Sequence, residues 1–139
     1  FYRLVFGESD YLPGLVIDRF GDVFVVQIGT AGMDRIKTML IETLESLFQP
    51  TAVVMRNDLR GRSLEGLETE RAVVSGCLPG ELVIEEHDTR FLIRPVEGQK
   101  TGWFFEQDRT VVFKACFSYS TGCEFRNCHD DKVWLCLSC

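Results

Sequence analysis

The stretch from residue 15 to residue 28, "LVIDRFGDVFVVQI", constrains the fold more than any other part of the chain. Two runs rich in β-branched and aromatic residues, 15–19 and 23–28, flank the turn-forming triplet "FGD". Such runs around a short Gly-containing turn predict a β-hairpin. Because an isolated hairpin is marginal in water, the hairpin needs a partner element to cover its apolar face.

The residues that follow supply that partner. Apolar side chains recur at i, i+3 and i+4 spacing, which predicts an amphipathic helix of three to four turns. Asp34 is the predicted N-cap, and Pro50 ends the helix. The predicted packing face is Ile36, Leu40, Leu44 and Leu47, and Met39 and Thr43 continue the same spacing. "TAVVMR", residues 51–56, follows as a short apolar strand, so strand, helix and strand predict one βαβ unit.

Three further segments complete the predicted fold. The chain opens with Phe1, Leu4 and Phe6 near strand alternation, and polar residues 57–70 are predicted as a loop. "LVIEEHDTRFLIRP" predicts a second hairpin, with Val83 and Ile84 facing Phe91 and Ile93 around an acidic turn at 86–88. The predicted class is α+β, with two hairpins and one long helix in a small mixed-sheet domain.

Composition narrows the function classes. The net charge of -6 argues against a protein whose overall field attracts nucleic acid, but it permits a local basic patch. No apolar run reaches 18 residues, so no membrane helix is predicted, and no signal peptide is seen. The first residue is Phe1, so the true N-terminus is expected upstream. Cys77 stands alone in the first 115 residues, which favours a reducing, cytoplasmic setting.

Two later stretches could hold a small molecule. In "EGQKTGWFFEQ", residues 97–107, a Gly-bracketed Lys-Thr pair precedes three aromatic residues. The spacing is not that of a phosphate-binding P-loop, so the stretch is either a solvated loop beside core aromatics or a seat for a flat ring. "VVFKACFSYSTG", residues 111–122, predicts a buried strand running into a small-residue turn. Such a turn after the first strand of a doubly wound sheet is a place where nucleoside cofactors bind.

In this order the motifs resemble one family. "RLVFGESDYLPGLVIDRFGD", "MRNDLRGRSLEGL", "IEEHDTRFLIRPVEGQKTGWFFEQ" and "CFSYSTG" are similar to segments of the PUA-domain-containing, S-adenosylmethionine-dependent methyltransferases of large-subunit ribosomal RNA, which are cytosine-C5 enzymes. The resemblance covers residues 1 to about 122. It implies a central α+β domain at 1–96, then a connector and the start of a Rossmann-like methyltransferase domain at 97–122, and an aberrant tail at 123–139.

The resemblance also implies site residues and partners. S-adenosylmethionine would be the cofactor and ribosomal RNA the substrate, whereas the family's nucleophilic cysteine has no counterpart here, so no catalytic residue is assigned. Arg56, Arg60 and Arg62 are candidates for RNA phosphate contact, with a solvated salt-bridging surface as the alternative. The rival function is a non-catalytic module that binds RNA or protein, and homo-oligomer formation is left open. The cofactor-binding residues implied are Lys100, Thr101, Phe105, Gln107, Phe117, Ser118, Tyr119 and Gly122.

The tail holds most of the cysteines, five of six lying in residues 116–139. Their spacing suits no common zinc knuckle or ribbon, so no metal is expected. One permitted set of codons for residues 123–138, read one base later, encodes a helix pattern, a Gly turn and an apolar strand. That is the sequence expected after the "SYSTG" motif, so the tail is interpreted as out-of-frame sequence of a truncated methyltransferase domain. The tail is therefore expected to be poorly packed, although the run "VWLCL" could add to an exposed sheet edge as an opportunistic strand.

Overall fold

The computed structural model describes residues 1–80, 82–86, 89–96, 127–128 and 133–135. The chain divides into two compact units, Phe1–Gly80 and Glu81–Cys139. Helices and strands are both present, so the chain is α+β as predicted. The domain boundary at residue 96 that the family resemblance implies is a different division, and it stays a prediction. Within the described residues, no helix combines the length and the apolar character that a membrane span requires.

The first unit is built on a mixed five-stranded sheet in the order β1-β2-β3-β4-β5. The predicted hairpin is present, with antiparallel pairing that runs from Leu15 opposite Ile28 to Phe20 opposite Val23. Its turn is therefore one residue shorter than predicted, and Gly21, with φ of 62°, takes the first of two turn positions. The strands are β1 Tyr2–Phe6, β2 Leu15–Phe20, β3 Val23–Ile28, β4 Ala52–Asn57 and β5 Glu70–Gly76.

The predicted βαβ unit is also present. β3 and β4 pair in parallel, from Val23 opposite Ala52 to Val26 opposite Met55. Two helices connect them, α1 Ala31–Arg35 and α2 Lys37–Phe48. The apolar residues of both strands are almost fully buried, which explains why their sequences are continuous apolar runs rather than alternating ones.

The start of the helical segment differs from the prediction. Thr30, not Asp34, is the N-cap, since its side-chain oxygen accepts a hydrogen bond from the Met33 amide at 3.4 Å. Asp34 lies inside α1. The predicted end is close, because α2 ends at Phe48 and Gln49 follows in a left-handed conformation with φ of 47°, just before Pro50.

The packing face of α2 was predicted only in part. Leu44 is 4% exposed and belongs to the core with Phe24 and Met55. Leu40 packs against the same core, as does Phe48, which the sequence pattern had not selected. Leu47 is 69% exposed and Ile36 is 37% exposed, so their assignment to the packing face was wrong. The true face follows i, i+4, i+8 spacing through residues 40, 44 and 48.

Residues 57–70 are more ordered than the predicted loop. A 3-10 helix spans Arg60–Glu65, and β5 begins at Glu70. β5 was not predicted from the sequence. It pairs antiparallel with β4, from Asn57 opposite Glu70 to Ala52 opposite Gly76, and forms one edge of the sheet. A second 3-10 helix, Gly7–Asp10, follows β1.

The second unit contains the other predicted hairpin. β6 Leu82–Glu86 pairs antiparallel with β7 Thr89–Ile93. Ile84 lies opposite Phe91 as expected, but Val83 lies opposite Leu92, so the register prediction for Val83 was wrong. Most of the predicted acidic turn at 86–88 lies outside the described residues.

Two short strands from the tail extend this second sheet. β9 Val133–Leu135 pairs in parallel with β7, and β8 Asn127–Cys128 pairs antiparallel with β9. The sheet order is β6-β7-β9-β8. Residues 133–135 of "VWLCL" form such an added strand. The predicted poor packing of the tail falls on side chains that lie outside the described part of the chain.

Candidate RNA-contact site

The candidate arginines lie at and after the carboxyl end of β4. Arg56 is the fifth residue of that strand, and the 3-10 helix Arg60–Glu65 carries Arg60 and Arg62. Their exposure differs sharply. Arg56 is 0% exposed and Arg62 is 3% exposed, whereas Arg60 is exposed. The structure therefore does not bring the three guanidinium groups onto one solvent-facing surface.

Arg62 connects the segment after β4 to the end of β3 and to α1, and it also bonds to a later residue of its own segment. Its Nη1 donates to the carbonyl oxygen of Ile28 at 2.5 Å, at the end of β3. Its Nε donates to the carbonyl of Glu68 at 2.9 Å, and its Nη2 donates to Asp34 Oδ1 at 3.1 Å. A guanidinium offers five N–H donors in a fixed fork, which suits it to join several acceptors at once. These contacts give Arg62 an architectural role.

Asn57 binds the other backbone group of Ile28, at the end of β3. Its side-chain oxygen accepts a hydrogen bond from the Ile28 amide at 2.7 Å, and its amide nitrogen donates to Glu70 Oε2 at 3.3 Å. Lys37, at the start of α2, donates to the same Glu70 oxygen at 3.0 Å. Both backbone groups of buried Ile28 are therefore satisfied by side chains where the parallel ladder ends. Asn57 is a polar residue at the end of a buried apolar strand. That pattern could have identified Asn57 from the sequence, but the residue was not selected.

Arg56 and Arg71 stand opposite each other on β4 and β5, and Asp58 joins them. Asp58 Oδ2 accepts from Arg56 Nη2 at 3.2 Å and from Arg71 Nη2 at 2.6 Å. Like charges directly opposite on paired strands repel, so the shared carboxylate makes this register tolerable. Burial of Asp58 raises its pKa, but the hydrogen bond from Arg56 and the charges of both arginines outweigh burial, and the pKa falls below its ordinary value of 3.8.

Loops at the same end of the sheet are bound to one another. The Gly29 amide donates to the Gly14 carbonyl at 2.7 Å, and the Ala31 amide donates to Glu65 Oε2 at 3.3 Å. Gly14 has φ of 76°, and a Cβ there would lie 2.6 Å from the Thr30 methyl carbon, so only glycine fits. Glu65, which the sequence analysis did not single out, thus supports the first turn of α1.

Arg60 differs from its two neighbours. Its side chain makes no ion pair or hydrogen bond with any other residue in the described part of the chain. It projects from the same short 3-10 helix as Arg62, whose side chain is held by internal hydrogen bonds. An exposed guanidinium without internal hydrogen bonds can contact phosphate oxygens without breaking one. Of the three candidates, Arg60 alone has the exposure that a direct RNA contact needs.

The other candidate residues fall outside what can be described. The implied cofactor residues, from Lys100 to Gly122, all lie outside the described residues. Among residues with described side chains, no group of three or more His, Cys, Asp and Glu side chains could hold a metal ion. Cys77 is a free, exposed cysteine.

Solved structures share the fold. A structure described as an S-adenosylmethionine-dependent methyltransferase from Streptococcus mutans superposes with a TM-score of 0.62 over 78% of this chain and 27% of its own, at 19% identity. A methyltransferase structure complexed with SAH superposes with the same TM-score and coverage. The fold is thus one that occurs in methyltransferase structures. No family model matches the chain.

Curated relatives are similar to this chain over most of its length. The chain is 39% identical over 134 residues to ribosomal RNA large subunit methyltransferase I of Cronobacter sakazakii. It is 40% identical over 132 residues to the protein of the same name in Escherichia coli O139:H28. Each match covers 87% of this chain and 33% of the relative. The chain is therefore homologous to ribosomal RNA large subunit methyltransferase I and spans about one third of the length of these relatives.

Proposed function

We propose that this chain is part of an S-adenosylmethionine-dependent methyltransferase that modifies large-subunit ribosomal RNA, with a cytosine as the target base. The observation that carries the proposal is the identity of 40% over 132 residues with a protein named ribosomal RNA large subunit methyltransferase I. The cytosine target comes from the family resemblance alone. The likeness to methyltransferase folds, one of them complexed with SAH, supports the same assignment. A bacterial cytoplasmic setting goes with it, since the relatives are bacterial proteins.

Within such an enzyme, residues 1–80 would act as a scaffold and would not carry out methyl transfer. The polar side chains at the end of the βαβ unit support this, because they are committed to internal bonds. Arg62 fixes the carbonyl of Ile28, Asn57 fixes its amide, and Asp58 joins two arginines. A catalytic acid, base or nucleophile must instead be within hydrogen-bond reach of substrate. We assign no catalytic residue to this chain and expect it to be inactive by itself.

The RNA contact would fall chiefly to Arg60. Arg56 and Arg62 would serve the same contact indirectly, by fixing the loop from which Arg60 projects. Because the chain carries a net charge of -6, its own field opposes RNA, and we expect weak binding that is measurable at low salt.

Binding of labelled large-subunit ribosomal RNA to the whole chain at several salt concentrations tests this division of roles. Replacing Arg60 with Ala should weaken binding to all sequences alike and reduce the slope of log affinity against log salt by about one. Arg35→Ala is the matched control, since Arg35 is also an exposed arginine on a short helix. Equal salt slopes for wild type and the Arg60 variant would exclude Arg60 as the phosphate contact.

The cofactor would be held by the connector residues that the family resemblance implies, among them Lys100 and Tyr119. Titration calorimetry with SAH tests this. The proposal predicts any heat of binding to be lost in Lys100→Ala and kept in Lys37→Ala, a lysine of the first unit. Binding that survives Lys100→Ala and Tyr119→Ala would remove these residues from the cofactor site, while leaving the ribosomal RNA assignment untouched.

A further inference from the structure

We draw no further inference here: the strongest candidate, the exposed apolar stripe of Met39 and Leu47 on α2 with Ile36 just before it, carries none because nothing in the described part of the chain shows what covers it.

Discussion

The guanidinium of Arg62 donates to the main-chain carbonyl of Ile28 at 2.5 Å, across 34 residues of sequence. The bond ties the loop after β4 to the end of β3, at the point where the two parallel strands cease to pair. Because the same guanidinium also reaches Asp34, the helical connection between the strands is held by the same side chain. Arg62, one of three arginines considered for RNA contact, is instead bound to three acceptors within the first unit.

Arg62→Ala should therefore destabilise the chain. The Ile28 carbonyl would be left buried without this partner, which costs about 1–3 kcal/mol, and the loss of the Asp34 pair adds to it. Urea unfolding followed by far-UV circular dichroism measures the change. Arg60→Ala, two residues away and exposed, should stay within about 0.5 kcal/mol of wild type. Comparable losses in the two variants would contradict the assignment of distinct roles.

The packing face of α2 predicts opposite results for two neighbouring leucines. Leu44 is 4% exposed, so Leu44→Ala should cost roughly 2–5 kcal/mol by removing core contacts and leaving a cavity. Leu47 is 69% exposed, and its replacement by Ala should cost less than about 0.5 kcal/mol. Thermal and urea unfolding of both variants would decide the matter. A larger loss at Leu47 would mean that the helix is rotated from the orientation described.

Asp58 should make stability depend on pH. Its pKa in the folded state lies below the ordinary value of 3.8, so its ionised form is favoured by folding. That contribution is present above about pH 4 and is lost as pH falls through the folded pKa. Asp58→Asn should therefore be less stable than wild type at pH 7, and the difference should shrink as the pH drops below 3.8.

The control for this pH series is Asp22→Asn, because Asp22 has a side chain that is 71% exposed and only a 3.7 Å contact with Arg19. Its variant should follow the wild-type pH profile closely. A gap between wild type and Asp58→Asn that stays constant from pH 7 to pH 3 would show that ionisation of Asp58 contributes nothing to folding.

Metal removal should have no effect on the melting temperature. The cysteine spacing of the tail matches no common zinc knuckle or ribbon, so we expect neither zinc nor a chelator to stabilise or destabilise the chain. Calorimetric melting with and without EDTA, in a reducing buffer, tests this. A fall of several degrees on chelation that zinc restores would establish a structural metal site after all.

The hairpin and the βαβ unit could be predicted because their signals are local. β-branched runs, a Gly turn and a helix of regular spacing each lie within a few residues of one another. The packing face of α2 was harder to predict, because an apolar stripe that ends at Leu47 and one that ends at Phe48 both fit a period of 3.6 residues. β5 escaped notice because an edge strand that opens on Glu70 and Arg71 lacks a strong apolar run.

The roles of the arginines could not be predicted from sequence. Arginine is exposed in most proteins, so surface position is the reasonable default for Arg56 and Arg62. Their burial depends on partners that only the folded chain supplies. These are Asp58, which directly follows β4, and the Ile28 carbonyl at the end of another strand. Charge and spacing selected these three arginines as candidates but could not separate the exposed Arg60 from the two buried ones.

The most direct test of the account is methyl transfer itself. The whole chain would be incubated with large-subunit ribosomal RNA and S-adenosylmethionine labelled in its methyl group, with the intact Escherichia coli relative as the positive control. The account predicts that the relative labels the RNA, whereas this chain gives no more label than a reaction without protein. Incorporation by this chain above that background would contradict the account, because it would place a complete catalytic site within these 139 residues.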